Sequence, residues 1–351
     1  MEIVEAIRKI VEGQHLSRVE AASVMSDIMS GRTTDAQIAS FLTGLRMKGE
    51  TVEELIGFAS VIRSRAVRVR PKADVAAALS GTDREMLVDT CGTGGDATGT
   101  FNISTATAFV LAGSGIRVAK HGNRSVSSLC GSADVVEALG IRIDLPAESV
   151  ARCIDEVGIG FLYAPLLHDA MRYVMLPRRE MKIRTVFNLL GPLCNPADAN
   201  AQVLGVFSEK LTEVMAQVLF ELGARRALVV HGLDGLDEIT ITGESKISEV
   251  REGTIRTYYV TPEDFDLARA PIEEIQGGDA RRNAEIIREL LSGAAGARRD
   301  VVLLNAAAGL VAGGKAEGLR QAIGLAREAI DSGNAIAKLE ALVELTRQLA
   351  Q

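Results

Sequence analysis

Four glycines fall within eight residues of this chain, in the segment VDTCGTGGDATGTFNIST (residues 88–105). The apolar stretch MLVDT leads into them and predicts a strand, and TATAFVLAGSG follows them and predicts a helix. Glycine permits positive φ and leaves no Cβ to block a ligand. Such a loop, next to the free N–H groups of a helix N-terminus, forms an anion site best suited to phosphate. The segment therefore predicts a strand–loop–helix unit that binds phosphate, and the alternative is a flexible turn before an ordinary helix cap.

The chain before this loop has a different pattern. Residues 1 to about 67 show apolar positions at helical spacing and no strand-like alternation. Asp35 and Thr51 are predicted N-caps, and Gly49 a helix stop. The stretch from 67 to 85 is predicted to be a linker. The sequence thus predicts an all-helical N-terminal region.

From residue 86 onward, short apolar strands alternate with helices. This alternation is typical of βαβ units, whose functional loops lie at the carboxyl ends of parallel strands. The last third, from about residue 283, is again rich in helix signals, with a strand signal at DVVLLN (300–305). We expect an α/β fold, with a small all-helical N-terminal domain and a larger α/β domain around a mostly parallel central sheet.

The next strand narrows the choice of phosphate-containing ligand. The loop formally matches the GxGxxA dinucleotide pattern, which wants an acidic residue at the end of the second strand. That strand, IRVAK, ends instead at Lys120 and His121, and a cation there suits another phosphate. Its loop, KHGNRSVSSLCGSAD (120–134), is rich in basic groups and hydroxyls. Two adjacent anion loops indicate a ligand with more than one phosphate centre, unless the second is a solvated polar turn.

Two further clusters carry charge. The segment HGLDGLDEITI places Asp234, Asp237 and Glu238 after a strand, where carboxylates suit Mg²⁺ or simply form a charged turn. The segment MRYVMLPRREMKIRTVFN holds five basic residues, most of them expected on a surface helix face. Pro177 is predicted to break the helix there, which would turn Arg178 inward to grip a carboxylate.

Composition and motif content disfavour several other classes of protein. Thirty-nine basic against 46 acidic residues give a net charge of −7, which disfavours a nucleic-acid binder. No apolar run is long enough to span a membrane or resembles a signal peptide, so a cytoplasmic protein is expected. The four cysteines form no CxxC pair and the four histidines no HExxH motif, which removes the common zinc patterns.

Taken together, the motifs closely resemble those of the anthranilate phosphoribosyltransferases. The resemblance rests on DTCGTGGD, FNIST, KHGNRSVSS, GSAD, RREMKIRTVFNLLGPLCNP and GLDE, in that order, and covers nearly the whole chain. It implies a Mg²⁺-dependent glycosyltransferase of tryptophan biosynthesis that joins anthranilate to 5-phosphoribosyl 1-diphosphate (PRPP) and releases diphosphate. It also implies a homodimer joined through a helical domain at 1–70, to which helices near 168–185 belong, and an α/β domain at 75–351.

The family pattern also assigns roles to individual residues. It implies that Mg²⁺ is held by Ser104, Asp237 and Glu238, and that Lys120, Asn123 and Arg178 are the catalytic residues. Anthranilate would contact Gly92, His121, Asn123, Arg178 and Pro192. The residues expected to contact PRPP are Gly92, Gly95, Asp96, Thr100, Asn102, Ile103, Ser104, Thr105, Lys120, His121, Gly122, Asn123, Arg124, Ser125, Val126, Ser127, Ser128 and Ser132.

The chain departs from the family pattern near the residues expected to bind anthranilate, the acceptor substrate. Asp169 follows His168 where proline is usual, Pro177 precedes Arg178 where valine is usual, and Lys182 replaces a glycine. A pyrimidine nucleoside phosphorylase is the alternative enzyme, disfavoured by the Asn123–Arg124 pair and by RTVFNLLGPLCNP. A nucleic-acid-binding relative of the same fold is disfavoured by the net charge and by the intact acidic pair.

Overall fold

The structure, a computed structural model, describes residues 1–80, 84–94, 98–125 and 129–350. The region predicted to be all-helical is confirmed, and it consists of four helices: α1 (Ile3–Val11), α2 (Arg18–Ile28), α3 (Asp35–Lys48) and α4 (Val52–Arg65). Thr51 caps α4, and Gly49 ends α3 with a φ of 85°. The predicted cap Asp35 is wrong by one position. The Thr34 hydroxyl accepts the Gln37 N–H at 3.3 Å, and Asp35 is the first helical residue.

The segment predicted as a linker contains a helix, α5 (Lys72–Ser80). A salt bridge attaches it to the sheet: Arg117 Nη1 donates to Asp74 Oδ1 at 2.8 Å. Alanine-rich sequence favours a helix even without a strong apolar face. The linker prediction is therefore wrong for these nine residues.

One seven-stranded sheet organises the rest of the chain, in the order β3-β2-β1-β4-β5-β6-β7. Strands β1 to β5 run parallel, and β6 and β7 form an antiparallel extension, which confirms a mostly parallel sheet. Strand order reverses direction between β1 and β4, the switch point at which such sheets open a crevice for ligands. The strands are β1 (Leu87–Gly92), β2 (Arg117–Gly122), β3 (Ile159–Tyr163), β4 (Ala201–Gly205), β5 (Arg226–Gly232), β6 (Ser245–Arg251) and β7 (Thr254–Val260).

Helices connect and cover these strands. They are α6 (Ile103–Gly113), α7 (Ser132–Ala138), α8 (Ala147–Glu156), α9 (Ala164–Leu167), α10 (Arg172–Met181), α11 (Val186–Leu193), α12 (Leu211–Glu221), α13 (Ala280–Leu291), α14 (Ala297–Ala312), α15 (Leu319–Asp331) and α16 (Asn334–Leu349). The strand signal at 300–305 is wrong, because those residues lie within α14. Val301, Val302, Leu303 and Leu304 are all buried, and a short apolar run cannot distinguish a buried helix from a buried strand.

Pro177 does not break its helix. Helix α10 runs through it to Met181 and is capped by Lys182, which adopts left-handed φ and ψ of 53° and 28°. Val174 and Pro177, three positions apart, are both buried on one face of α10, so packing holds the helix together despite the missing N–H. The predicted chain reversal therefore lies at Lys182, where the family pattern has glycine.

The helical region and the sheet share one apolar core. Phe41 and Phe58 meet edge to face inside the bundle, with ring centroids 5.9 Å apart. The same cluster of buried side chains continues through Phe187 of α11 and reaches Leu204 and Val229 on the sheet. The bundle is thus packed against the α/β part beside the switch point. Among the described residues, no helix is long and apolar enough to cross a membrane.

Candidate active site

The glycine loop and the acidic pair meet at the switch point. The backbone N–H of Gly94 donates to Asp237 Oδ2 at 2.8 Å, across 143 positions of sequence. A Cβ at Gly92 would lie 2.5 Å from the same carboxylate oxygen, so glycine is needed for this approach. Gly94 itself has a φ of 66°. Gly95 and Asp96, predicted to contact the ligand, lie outside the described residues.

The three carboxylates after β5 divide into two kinds. Asp234 Oδ2 accepts hydrogen bonds from the hydroxyls of Thr240 and Thr242, both at 2.6 Å, so this carboxylate shapes the turn. Asp237 instead faces the glycine loop, and Glu238 beside it is buried. The turn is therefore held by Asp234, whereas Asp237 lies beside the glycine loop, and the metal site remains a prediction for Asp237 and Glu238.

These residues suit Mg²⁺ better than a metal that needs a full protein cage. The described part of the chain holds no cluster of three or more His, Cys, Asp or Glu side chains arranged for a metal. Mg²⁺ commonly uses one or two carboxylates and takes its other oxygens from water and substrate phosphates. The Asp237 and Glu238 carboxylates beside a phosphate-type loop match that donor set.

Lys120 is buried beneath the first turn of α6. Its ammonium donates to the Thr90 carbonyl oxygen at 2.6 Å and to Ser104 Oγ at 3.3 Å. Burial lowers the pKa of Lys120, while the negative charges of Asp89 and Glu238 act in the opposite direction. The structure therefore brings two predicted site residues, Lys120 and Ser104, into direct contact.

The other predicted residues at the start of α6 are more deeply engaged in the fold. Asn102 Oδ1 accepts from Asn283 Nδ2 at 3.0 Å, and its Nδ2 donates to the Cys130 carbonyl at 3.3 Å. Ile103 and Thr105 are buried, and within the described chain the Thr105 hydroxyl has no hydrogen-bond partner. Thr100 forms an isolated antiparallel bridge with Gln276. Asn102 thus joins the helix start to α13 and to the second loop.

The second loop is held by an acidic residue of α7. Asp134 Oδ2 accepts the N–H groups of Ser125 and Gly131, at 3.2 and 2.9 Å. Arg124 pairs with both Asp134 and Glu137, at 2.9 and 2.6 Å. Its charge is therefore already balanced by two carboxylates, which sequence reasoning did not anticipate. Val126, Ser127 and Ser128 lie outside the described residues.

Close packing shapes the start of the same loop. A Cβ at Gly122 would lie 2.3 Å from Ser132 Oγ and 2.7 Å from the Phe161 ring. The Ser132 hydroxyl donates to the Asn123 carbonyl oxygen at 3.3 Å. Asn123 Oδ1 accepts the Arg124 N–H at 2.8 Å. These contacts bring the predicted residues Gly122, Asn123 and Ser132 together at the end of β2.

Two neutral histidines lie side by side behind this loop. The ring centroids of His121 and His168 are 5.2 Å apart. Burial lowers the pKa of His121 to about 3 and that of His168 to about 4, so both rings are uncharged at neutral pH. Neither Nε2 atom has a hydrogen-bond partner among the described residues. Sequence reasoning gave His168 no role, because its contact with His121 depends on the packing of β2 against the segment that follows α9.

Arg178 is placed differently from its basic neighbours. Arg172, Arg179, Lys182 and Arg184 are exposed, as expected for a surface face. Arg178 is half-buried, its guanidinium stands 5.3 Å from the centroid of the Phe187 ring, and burial lowers its pKa. In the described structure no carboxylate forms an ion pair with Arg178. A planar cation of this kind suits a bound carboxylate. Predicted Pro192, also buried, lies in α11, where its carbonyl accepts from Gln202 Nε2 at 2.7 Å.

A cavity of about 220 Å³ separates the bundle from the loop after β4. Phe207 connects it to the glycine loop, because its N–H donates to Thr93 Oγ1 at 3.1 Å. Arg184 stands over the Phe207 ring at 4.6 Å. The lining residues are Arg46, Glu50, Arg184, Thr185, Leu189, Phe207, Ser208, Lys210 and Leu211. This cavity therefore lies between the helical region and the segment after β4, next to the glycine loop, and none of the predicted site residues lines it.

Comparison with known proteins gives consistent matches. Residues 4–66 match the helical bundle domain of the glycosyl transferase family, and residues 84–336 match its a/b domain. The anthranilate phosphoribosyltransferase of Pelotomaculum thermopropionicum is 57% identical over 348 residues, which is 99% of this chain and 98% of the relative.

Solved structures of anthranilate phosphoribosyltransferases are also similar to this chain. The crystal structure of anthranilate phosphoribosyltransferase from Thermus thermophilus has a TM-score of 0.89 and 44% identity, covering 97% of this chain and 99% of that one. The enzyme from Saccharomyces cerevisiae in complex with PRPP and Mg has a TM-score of 0.87 and 25% identity, covering 99% and 98%.

Proposed function

Because this chain belongs to the anthranilate phosphoribosyltransferase family, we propose that it transfers the 5-phosphoribosyl group of PRPP to the amine of anthranilate, in tryptophan biosynthesis. The products are N-(5-phosphoribosyl)anthranilate and diphosphate. The observation that carries the proposal is the crevice itself. There the glycine loop meets Asp237 at the switch point of the sheet, and Lys120 lies beneath the first turn of α6. On α10, Arg178 is half-buried and has no described carboxylate partner.

The donor side provides positive and polar groups for a diphosphate. Backbone N–H groups of the glycine loop and of α6 donate to phosphate oxygens, and the Lys120 ammonium lies beneath them. As the C1–O bond breaks, these groups stabilise the charge that develops on the leaving diphosphate. Since they are fixed by the fold, little reorganisation is needed when the charge appears.

Magnesium completes the donor side of the proposal. Asp237, Glu238 and the Ser104 hydroxyl would hold it, the carboxylates lying at the mouth of the glycine loop. When bound, Mg²⁺ supplies positive charge to the diphosphate oxygens. The Saccharomyces cerevisiae relative solved with PRPP and Mg supports this assignment.

The acceptor side provides a cation, neutral rings and an apolar wall. Arg178 binds the anthranilate carboxylate, and Asn123, His121 and Pro192 surround the rest of the molecule. The anthranilate amine is already an uncharged nucleophile, so it needs no strong base before attack. It attacks C1 on the face opposite the diphosphate, through an oxocarbenium-like transition state, and the configuration at C1 is inverted. The C1–N bond forms as the C1–O bond to diphosphate breaks, and the nitrogen then loses one proton to solvent. Catalysis then depends mainly on placing the two substrates correctly.

The proposal includes two domains and a dimer. A helical domain at 1–70, with the helices near 168–185, closes against an α/β domain at 75–351. The family matches at 4–66 and 84–336 support this division. The homodimer joined through the helical domain is part of the same proposal. A location in the cytoplasm agrees with the expected biosynthetic role.

The decisive experiment follows the fluorescence of anthranilate after PRPP is added. We expect the fluorescence to fall with Mg²⁺ present, and to stay constant without PRPP or after EDTA is added. This pattern is expected only if the protein uses PRPP as donor substrate, anthranilate as acceptor substrate and Mg²⁺ as the metal. Constant fluorescence with a folded protein would refute the acceptor assignment, and release of base from thymidine and phosphate would then identify a phosphorylase.

A further inference from the structure

Strands β1 and β2 separate before they reach the crevice. Their pairing covers Leu87 with Arg117 and Val88 with Val118, whereas β2 stays paired with β3 through Gly122. On the side that faces β1, the end of β2 therefore lacks its ladder partners. Backbone groups buried without partners are costly, so something else must satisfy them.

Two buried side chains satisfy these groups. Asp89 Oδ1 accepts the His121 N–H at 3.1 Å, and Asn195 Nδ2 donates to the Ala119 carbonyl at 2.8 Å. The same Asn195 amide donates to Asp89 Oδ2 at 2.8 Å, and its Oδ1 accepts the Ala197 N–H at 2.9 Å. This group, which we call the Asp89–Asn195 clamp, joins β1, the end of β2 and the segment after α11.

The clamp contains a buried carboxylate, which is unfavourable to remove from water. Asp89 is 0% exposed, and burial raises the pKa of its carboxyl. A buried ion pair often contributes little net stability compared with well-packed apolar residues, so stability alone gives no reason for a carboxylate here. A carboxylate does, however, accept two N–H donors at once and supply negative charge near Lys120.

We propose that Asp89 and Asn195 are positioning residues of the transfer reaction. They hold the separated end of β2, which carries Lys120 on the donor side and His121 on the acceptor side. The opening between β1 and β2 leaves room at the crevice, and the clamp keeps that opening rigid. The inference rests on the proposed function for its kinetic consequence, but its structural consequence can be measured without substrate.

The test replaces Asp89 with asparagine, which keeps the volume. The new amide NH₂ must face either the His121 N–H or the Asn195 NH₂, and both are donors. We expect kcat to fall about 100-fold, as for a misplacement of about 1 Å, with a much smaller change in the KM for PRPP. Hydrogen exchange of the backbone at residues 119–122 should accelerate.

Glu54 provides a matched control. It is also a 0% exposed carboxylate, and it accepts from the Leu16 N–H and from Lys48 Nζ, both at 2.9 Å, but it lies in the helical bundle. Glu54→Gln should lower thermal stability while leaving kcat and exchange at 119–122 near the wild-type values. Equal effects of Glu54→Gln and Asp89→Asn on kcat and on exchange would overturn the proposal, because any buried carboxylate would then serve.

A double-mutant cycle tests the pair. Asn195→Ala alone should reduce kcat, and it replaces Asp89→Asn as the test if that variant does not fold. In the double variant the clashing amide is gone, so kcat should be no lower than in Asp89→Asn alone. If the two substitutions instead lowered kcat independently, so that their fold-reductions multiplied in the double variant, the result would contradict the clamp. If the wild-type protein lacks transfer activity, the proposed function fails, whereas unchanged exchange at 119–122 in Asp89→Asn refutes the clamp itself.

Discussion

Gly205 sets how closely the acidic pair approaches the glycine loop. It ends β4, and a Cβ there would lie 1.6 Å from the backbone oxygen of Asp237, well inside the 3.4 Å at which ordinary contact begins. Gly205→Ala must therefore move the backbone at Asp237 by nearly 2 Å, because a carbonyl cannot rotate away as a side chain can. This shift is large enough to break the 2.8 Å bond from the Gly94 N–H to Asp237.

We expect Gly205→Ala to lower kcat about 100-fold or more, because Asp237 would be displaced from the proposed magnesium site. Overpacking should also reduce the free energy of unfolding by about 1–3 kcal/mol. Gly92→Ala should be milder, since its Cβ would meet the tip of the Asp237 carboxylate at 2.5 Å, and that group can rotate. Gly324→Ala is the control, because it lies in α15 with nothing within 4 Å of a Cβ.

The assay measures kcat across a Mg²⁺ titration, together with denaturant unfolding. Gly205→Ala should need more Mg²⁺ for half-maximal activity, whereas Gly324→Ala should match the wild type in kcat and gain about 0.5–1 kcal/mol in stability. A Gly205→Ala enzyme with wild-type kcat and an unchanged Mg²⁺ requirement would show that the position of Asp237 does not matter.

Three other outcomes follow from the same site. Arg178→Ala should raise the KM for anthranilate far more than that for PRPP, and equal increases in steady-state assays would remove its role. Asp237→Asn combined with Glu238→Gln should abolish activity at ordinary Mg²⁺ concentrations, and full activity would remove the metal assignment. Because burial lowers the pKa of His121 to about 3 and of His168 to about 4, the unfolded chain binds more protons than the folded protein below the ordinary histidine pKa of 6.5. The two together should cost about 4 kcal/mol of stability between pH 7 and pH 5, measured by denaturant unfolding, and replacing both with asparagine should remove that loss.

Features encoded by neighbouring residues could be predicted from the sequence. The strand, glycine loop and helix around residues 88–105 follow from local composition, and so do helices α1 to α4 with the Thr51 cap. The meeting of Gly94 and Asp237 could not be predicted in the same way. It requires β4 to lie between β1 and β5, and no local pattern specifies the order of strands in a sheet.

Local preference also failed where packing decides the outcome. Residues 300–305 have the composition of a buried strand, but α14 is buried on nearly all sides and meets the same requirement as a helix. Pro177 disfavours a helix interior, yet burial beside Val174 keeps α10 intact. In both cases the free energy of burial outweighs a local preference of a few kcal/mol or less.

The charges of the site show why a basic motif alone does not locate a ligand. Lys120, Arg124 and Arg178 are equally cationic in the sequence, but their surroundings differ. The guanidinium of Arg124 forms ion pairs with Asp134 and Glu137, only ten and thirteen positions further on. Its charge therefore acts mainly to hold the second loop. Lys120 donates to the Thr90 carbonyl and the Ser104 hydroxyl with the charges of Asp89 and Glu238 nearby, whereas Arg178 faces an aromatic ring and forms no ion pair with a described carboxylate. The distribution of acidic partners therefore separates these three cations, and it predicts that Arg124→Gln will loosen the second loop more than it weakens charge pairing with diphosphate.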